Sequence, residues 1–309
     1  MERYHQSESA SQKNHGDGHW RGPHDILVWL PGRLLAMAAQ RNQRGATLIE
    51  LIMVIAILGV IAAVASVFIK GPIDAYVDSA RRAALTDAAD TAIRRMARDI
   101  RKALPNSTRI PSTDCLEFIP TKTAGRYRAA VDVLSTGDIL NFVAPDTSFN
   151  MLSLNSDLPA DQKIEIGDVV AVYNLGVSGA DAYAGDNTST VRSVADDSGR
   201  KESTISVDAK LFPFASGSKR FYVIPAAENI VAYVCDGDGK LRRSVRAFDP
   251  TAAKCPVSGP ILASNVASCH FVHDTSDLQR NEPVQLTITF NDSAESISLY
   301  LQVYENSRP

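Results

Sequence analysis

The sequence predicts an α+β fold in which one long N-terminal helix packs on an antiparallel β-sheet head. Three observations carry this. A charge-free apolar run extends from Leu51 to Ile69, apolar residues then recur at helical spacing from Ile73 to Leu104, and after Asn106 the texture changes. There, short segments rich in β-branched and aromatic residues alternate with Gly, Asp, Asn, Ser and Pro. A helix laying its stripe on such a sheet is an α+β arrangement. With 309 residues, 45% of them hydrophobic, the chain can hold a globular domain plus an appended element. Its 32 basic and 35 acidic residues give a formal charge of −3, so no whole-molecule attraction draws it to nucleic acid or anionic lipid.

The first element is a leader. Residues 1–36 carry His5, His15, His19 and His24 without the clustering that a metal-binding tract needs. Translation from Met37 would give "MAAQRNQRG", a compact basic leader with no acid, and the reading adopted is that the leader, residues 1–45, truly begins there. As a helix, the run from Leu51 to Ile69 would rise about 28 Å, roughly one hydrocarbon thickness. Three readings compete for it. Ala63-Val64-Ala65 before Ser66 resembles the cleavage site of a secretory signal, but the run exceeds the usual signal core and continues into helix. A plain anchor would tolerate Glu50 in its first turn, where the helix dipole favours an acid. That leaves the glycine unexplained.

The third reading takes "RG|ATLIEL" as a unit. It resembles the class III signal of type IV pilins and type II secretion pseudopilins: a basic leader ending in Gly45, cleavage before Ala46, and glutamate at the fifth mature position, Glu50. The resemblance implies a type IV pilin-like fold whose apolar span is retained. It also implies a prepilin peptidase that cuts on the cytoplasmic side and methylates the Ala46 amine. Ala46 departs from the phenylalanine usual at that position. A carboxylate in hydrocarbon costs a few kcal/mol, less beside a cation. Cleavage creates such a cation, and the family implies that Glu50 pairs with the Ala46 ammonium of a neighbouring subunit.

Residues 46–70 are thus expected to form the transmembrane half of a spine helix, and residues 71–105 its amphipathic half. Gly71 and Pro72 predict a kink or short break, because proline removes a backbone bond and clashes with the preceding turn. Beyond it the expected stripe is Ile73, Val77, Ala80, Ala84, Ala88, Ala92, Met96, Ile100 and Leu104, ended by Leu104-Pro105-Asn106. Arg81, Arg82, Arg94, Arg95, Arg98, Arg101 and Lys102 raise a nucleic-acid surface. Interleaved Asp87, Asp90 and Asp99 and the lack of aromatic residues favour a solvated or subunit-facing helix instead.

Residues 106–309 are expected to form the β-rich head. Strands are predicted at 115–119, 139–143, 169–173, 204–207, 220–224, 230–235, 241–245, 270–273, 284–290 and 296–303, the last two as a hairpin. Residues 178–187 and 195–202 read as surface loops. Four cysteines, Cys115, Cys235, Cys255 and Cys269, all follow the span and suit an oxidising compartment. Three pairings are possible. The shortest loop costs least chain entropy, which predicts Cys255 with Cys269 and Cys115 with Cys235.

"RRMARDIRKALPNSTRI", "DCLEFIP", "VAYVCDGDGKLRR", "ASCHF" and "ESISLYLQVYENSRP" resemble the O-type minor pilins of mannose-sensitive haemagglutinin pili, and more distantly the J-type minor pseudopilins of type II secretion. That resemblance implies a structural subunit that primes or caps assembly and contributes to adhesion. Its partners would be the prepilin peptidase, the major and other minor pilins, and an inner-membrane assembly platform with a separate ATPase. The head would face the periplasm before entering the filament. "CDGDGK" lacks the glutamate of a calcium loop, since Ala247 stands twelfth from Asp236, and reads as a hairpin turn. His270 and His273, beside Cys269 and Asp274, face opposite sides of a strand. No cofactor, metal or nucleophile–base pair is expected, so the chain reads as a peptidase substrate and not an enzyme. A type II secretion pseudopilin is the first alternative, and a signal-anchored periplasmic enzyme or binding module the second.

Overall fold

The structure is a computed structural model that describes residues 45–133, 136–249, 251–273, 283–292 and 295–304. The leader's other residues, the Met37 start and Asp274 lie outside them. Two compact units meet at Ala63 and Val64. In the first, the described chain is irregular at 45–47 and helical thereafter. The helix, α1, runs from Leu48 to Arg101 as a single element, so the expected break at Gly71-Pro72 is corrected. Pro72 forfeits the bond its N–H would give to Phe68, but single prolines are absorbed when flanking turns keep theirs. Gly71 has open space around it and needs no special backbone angle.

In the second unit, α1 seats Leu85, Ala89, Ala92, Ile93, Met96, Ala97 and Ile100 in a core. Ala84 and Ala88, which the predicted stripe included, are exposed. Steps of four residues overshoot the 3.6-residue turn, so that stripe drifts off the face that Leu85 anchors. The helix packs on two antiparallel sheets. One orders β1 (Arg109–Ser112), β2 (Cys115–Phe118), β9 (Ile230–Asp236), β10 (Lys240–Arg246) and β11 (Ile261–Ser264) as β1-β2-β9-β10-β11. The other orders β12 (Val266–Val272), β13 (Val284–Asp292) and β14 (Glu295–Val303) in sequence. Leu116, Phe118, Tyr233 and Leu241 from the first sheet and Phe271, Leu286, Ile288 and Phe290 from the second complete the core.

The chain between β2 and β9 builds something of its own. β3 (Thr123–Arg126), β4 (Asp146–Met151), β5 (Val169–Ala171), β6 (Thr188–Asp197), β7 (Glu202–Lys210) and β8 (Arg220–Ile224) form a six-stranded sheet ordered β3-β8-β5-β6-β7-β4. Its outer strands meet where Tyr127 bridges Met151, flanked by Leu152 N–H to Arg126 O at 2.9 Å and Arg128 N–H to Asn150 O at 2.8 Å. The sheet therefore curls shut around Tyr127, Phe149, Val191, Ile205, Phe212 and Phe221, a core separate from the one under α1. Closure removes open edges, which is how small β-structures avoid mispairing. Meanwhile β2 pairs directly with β9, Phe118 opposite Val231, so the barrel is an insertion between two neighbouring strands.

Several strand expectations need correction. Residues 139–143 form no strand, because the Asp146 carboxylate takes the Asn141 N–H at 2.7 Å and Asn141 Oδ1 takes the Val143 N–H at 2.8 Å. Such side-chain turns compete with ladder bonds. Residues 195–202 are the ends of β6 and β7 joined by a tight turn; residues 195–201 are a hairpin tip exposed on both faces, and Glu202 turns inward and is buried. β1, β3, β4, β6 and β11 lie outside the predicted ranges.

The disulfides are Cys115–Cys255 and Cys235–Cys269, so the predicted pairing is corrected. Cys115 lies directly opposite Val234 in the β2–β9 ladder, and Cys235 instead reaches β12. Tertiary register outweighed loop length. The two sheets under α1 share no ladder; the chain passes from one to the other through Asn265 between β11 and β12, and Cys235–Cys269 adds a covalent cross-link between them. Replacing both cysteines by serine should cost about 3 kcal/mol in a denaturant titration under oxidising conditions, and no measurable change would contradict this role.

Candidate functional site

The predicted processing and assembly residues lie together at the start of α1. Thr47 is the helix N-cap: its Oγ1 accepts the Glu50 N–H at 3.3 Å and its carbonyl accepts the Leu51 N–H at 3.1 Å. Thr-x-x-Glu is a capping-box pattern, so "TLIE" holds a helix-start signal that the sequence reading passed over. Glu50 stands in the first turn, where the helix dipole favours a negative charge. Gly45 has nothing within 4 Å of a would-be Cβ and no positive φ. Neither packing nor backbone geometry therefore requires glycine there.

From Leu48 to Ile69 the helix presents an almost wholly exposed apolar surface, including Ile52, Ile55, Leu58, Ile61 and Phe68. It is the one helix among the described residues long and apolar enough to cross a membrane. An acid, a preceding glycine and a bare apolar helix are thus brought into one short segment. Residues 40–66 match the prokaryotic N-terminal methylation motif. The motif is the signal of type IV pilin-like proteins, pseudopilins included, and with the apolar helix it marks a membrane-anchored chain. No curated protein matches the chain.

The remaining candidates resolve into structure. In the β9–β10 turn, Asp236 Oδ1 accepts N–H bonds from Asp238 at 3.1 Å and Lys240 at 2.9 Å. Its Oδ2 takes Arg242 at 2.6 Å. Asp236 thus spends both oxygens on its own hairpin. His270 lies on β12, and His273 Nδ1 lies 3.2 Å from the Thr108 carbonyl. Among the described residues no group of three or more His, Cys, Asp or Glu could hold a metal.

Among the described residues, three of the seven basic side chains of the α1 stripe make ion pairs. Arg94 meets Asp90 at 2.5 Å, Arg82 meets Glu295 at 2.7 Å, and Arg81 lies near Asp78 and Asp292. Asp99 accepts Tyr233 Oη at 2.7 Å and Arg243 at 3.2 Å.

Sequence reasoning missed a buried charge. Glu117, fully inaccessible on β2, accepts bonds from Arg109, from Arg246 and from the Cys255 N–H at 2.9 Å. Burial alone would push its carboxyl up, but the Arg246, Cys255 and Arg109 donors together hold it below the usual range. Arg109 also stacks on Tyr183, 3.6 Å from the ring centroid, tying this cluster to the inserted barrel. The only sequence signal was an acid inside the apolar strand "CLEF". In the barrel, Glu202 plays a similar part, holding Arg128 and accepting Asn150 Nδ2 at 3.0 Å.

Proposed function

We propose that this chain is a minor subunit of a type IV pilus of the mannose-sensitive haemagglutinin type, priming or capping assembly and contributing to adhesion, and not an enzyme. The observation that carries the reading is the methylation motif lying on a capped, solvent-bare apolar helix, with Glu50 five residues beyond Gly45. On this reading a prepilin peptidase cuts between Gly45 and Ala46 and methylates Ala46. The chain then stands in the bacterial inner membrane with its N-terminus cytoplasmic and its β-rich head periplasmic. An assembly platform with its ATPase next moves it among major and minor pilins into the filament. Glu50 meets the Ala46 ammonium of a neighbour, and that neutralisation sets the axial register. The two disulfides support an extracytoplasmic head.

The methylation motif also serves pseudopilins, so a minor pseudopilin of a type II secretion system is the second reading. Mass spectrometry of the mature N-terminus provides the test. A methylated Ala46 is expected; a chain beginning at Ser66, or one retaining its leader, would overturn the proposal.

A further inference from the structure

All of β2 is buried, so both of its faces are covered. Leu116 and Phe118 enter the core that α1 seats. Cys115 and Glu117, two positions apart on a strand, share the opposite face. Over that face runs a strap, residues 251–260, which is neither helix nor strand and lies mostly exposed.

The strap is fastened at its ends and at one point between. At its start, Thr251 and Ala252 donate their N–H groups to Asp249. At its far end, Arg242 Nη1 donates to the Gly259 carbonyl at 3.1 Å, and the Arg243 N–H to that of Pro260 at 3.1 Å. Between these, among the described residues, the bonds from 253–258 to the sheet all run through Cys255. Its sulfur is bonded to Cys115, its N–H reaches Glu117 at 2.9 Å, and it packs beside Ala232 and Val234. Cys255 also holds φ at 54°, a left-handed angle that a residue with a side chain adopts at a cost. Such a residue stays in place only where its surroundings hold it.

We propose that residues 251–260 are a redox-sensitive strap, closed by the Cys115–Cys255 bond, whose closure brings the Cys255 N–H to Glu117 and completes the buried charge cluster. A disulfide-bearing oxidant closes it. The two Sγ–H groups give up two protons and two electrons, the Sγ–Sγ bond forms, and the oxidant's disulfide becomes two thiols. A dithiol reductant reverses the exchange. With the bond open, one hydrogen bond and a few small apolar contacts oppose the backbone cost at Cys255, and the strap lifts. Glu117 then keeps Arg109 and Arg246 but loses its third donor and its cover. Linkage is reciprocal, so Glu117 in turn favours the disulfide.

The inference does not depend on leader processing, and amide hydrogen exchange on the full chain in detergent micelles tests it, with the β13 amides as internal reference. Cys115→Ser/Cys255→Ser should speed exchange at position 255 roughly tenfold or more relative to β13. Cys235→Ser/Cys269→Ser, which removes the other bond, should leave that ratio as in the parent until a dithiol is added, and should then match. An unchanged ratio in Cys115→Ser/Cys255→Ser overturns the inference, because the strap would be held without its clasp. So does an equal rise in untreated Cys235→Ser/Cys269→Ser, which would mean general loosening. In a glutathione titration, Glu117→Gln should make Cys115–Cys255 roughly tenfold easier to reduce relative to Cys235–Cys269, and an unshifted ratio would sever the strap from the charge cluster.

Discussion

Glu50→Gln is expected to leave cleavage after Gly45 unchanged and to lower incorporation into filaments roughly a hundredfold. The amide keeps the size and polarity of the side chain but cannot carry the charge that an ammonium would neutralise. Placing an acid in hydrocarbon costs a few kcal/mol, and pairing it recovers a share of about 3 kcal/mol, which is roughly that factor. The N-cap survives the change, because the bond to Thr47 uses the Glu50 backbone N–H and not its side chain. Helix formation and anchoring should therefore be unaltered, and the defect should appear only at the subunit-to-subunit step. Counting processed subunit in sheared filaments against the membrane pool measures it. Equal partition of parent and variant would rule out the pairing.

The second large effect is on stability. Glu117→Gln should destabilise the unit beginning at Val64 by about 4 kcal/mol, because it strands Arg109 and Arg246 without their shared anion. The pH dependence has a definite sign. The Glu117 carboxyl is held below its ordinary value of 4.5 in the fold. Its stabilisation is thus complete above that value and disappears as pH falls through the lower folded one. Denaturant midpoints measured from neutral to acidic pH should fall more steeply below about 4.5 in the parent than in the glutamine variant. Coincident slopes would assign the acid limb elsewhere.

Asp196 gives a smaller effect of the same sign. Hydrogen bonds from Ser156 and Ser203, and backbone N–H groups of Ser156 and Asn155, lower its carboxyl to about 2. Asp196→Asn should remove a titration between the ordinary 3.8 and that value, followed by carboxyl NMR. An Asp196 resonance titrating at 3.8 would refute the hydrogen-bonded arrangement.

The parts of the fold legible beforehand were those with local causes. The charge-free run, the helical spacing around Met96 and Ile100, and the alternation of "VQLTITF" and "SISLYLQVY" each specify their own element through period alone. The candidate site was readable for the same reason, since glycine, acid and span sit within a few residues of one another. What escaped depends on distant partners. β3 contains a glycine and two polar residues, and becomes a strand only because β8 lies beside it. The cysteine pairing was misread because loop entropy favours near neighbours, whereas the β2–β9 ladder had already decided which sulfurs could meet. Glu117 is one acid in the short apolar strand "CLEF", and nothing local says whether it is buried. Only the return of Arg246 from β10 makes its burial affordable.

The ladder from Phe118 to Val231 carries a consequence for change over time. Since both ends of the intervening 119–229 stretch enter and leave at adjacent rungs, that stretch resembles a tool held in a chuck. Lineages could exchange or discard it, and engineers could graft an antigen or enzyme in its stead, wherever the replacement also covers Leu104, which packs against Ile119, Ala171 and Ile224.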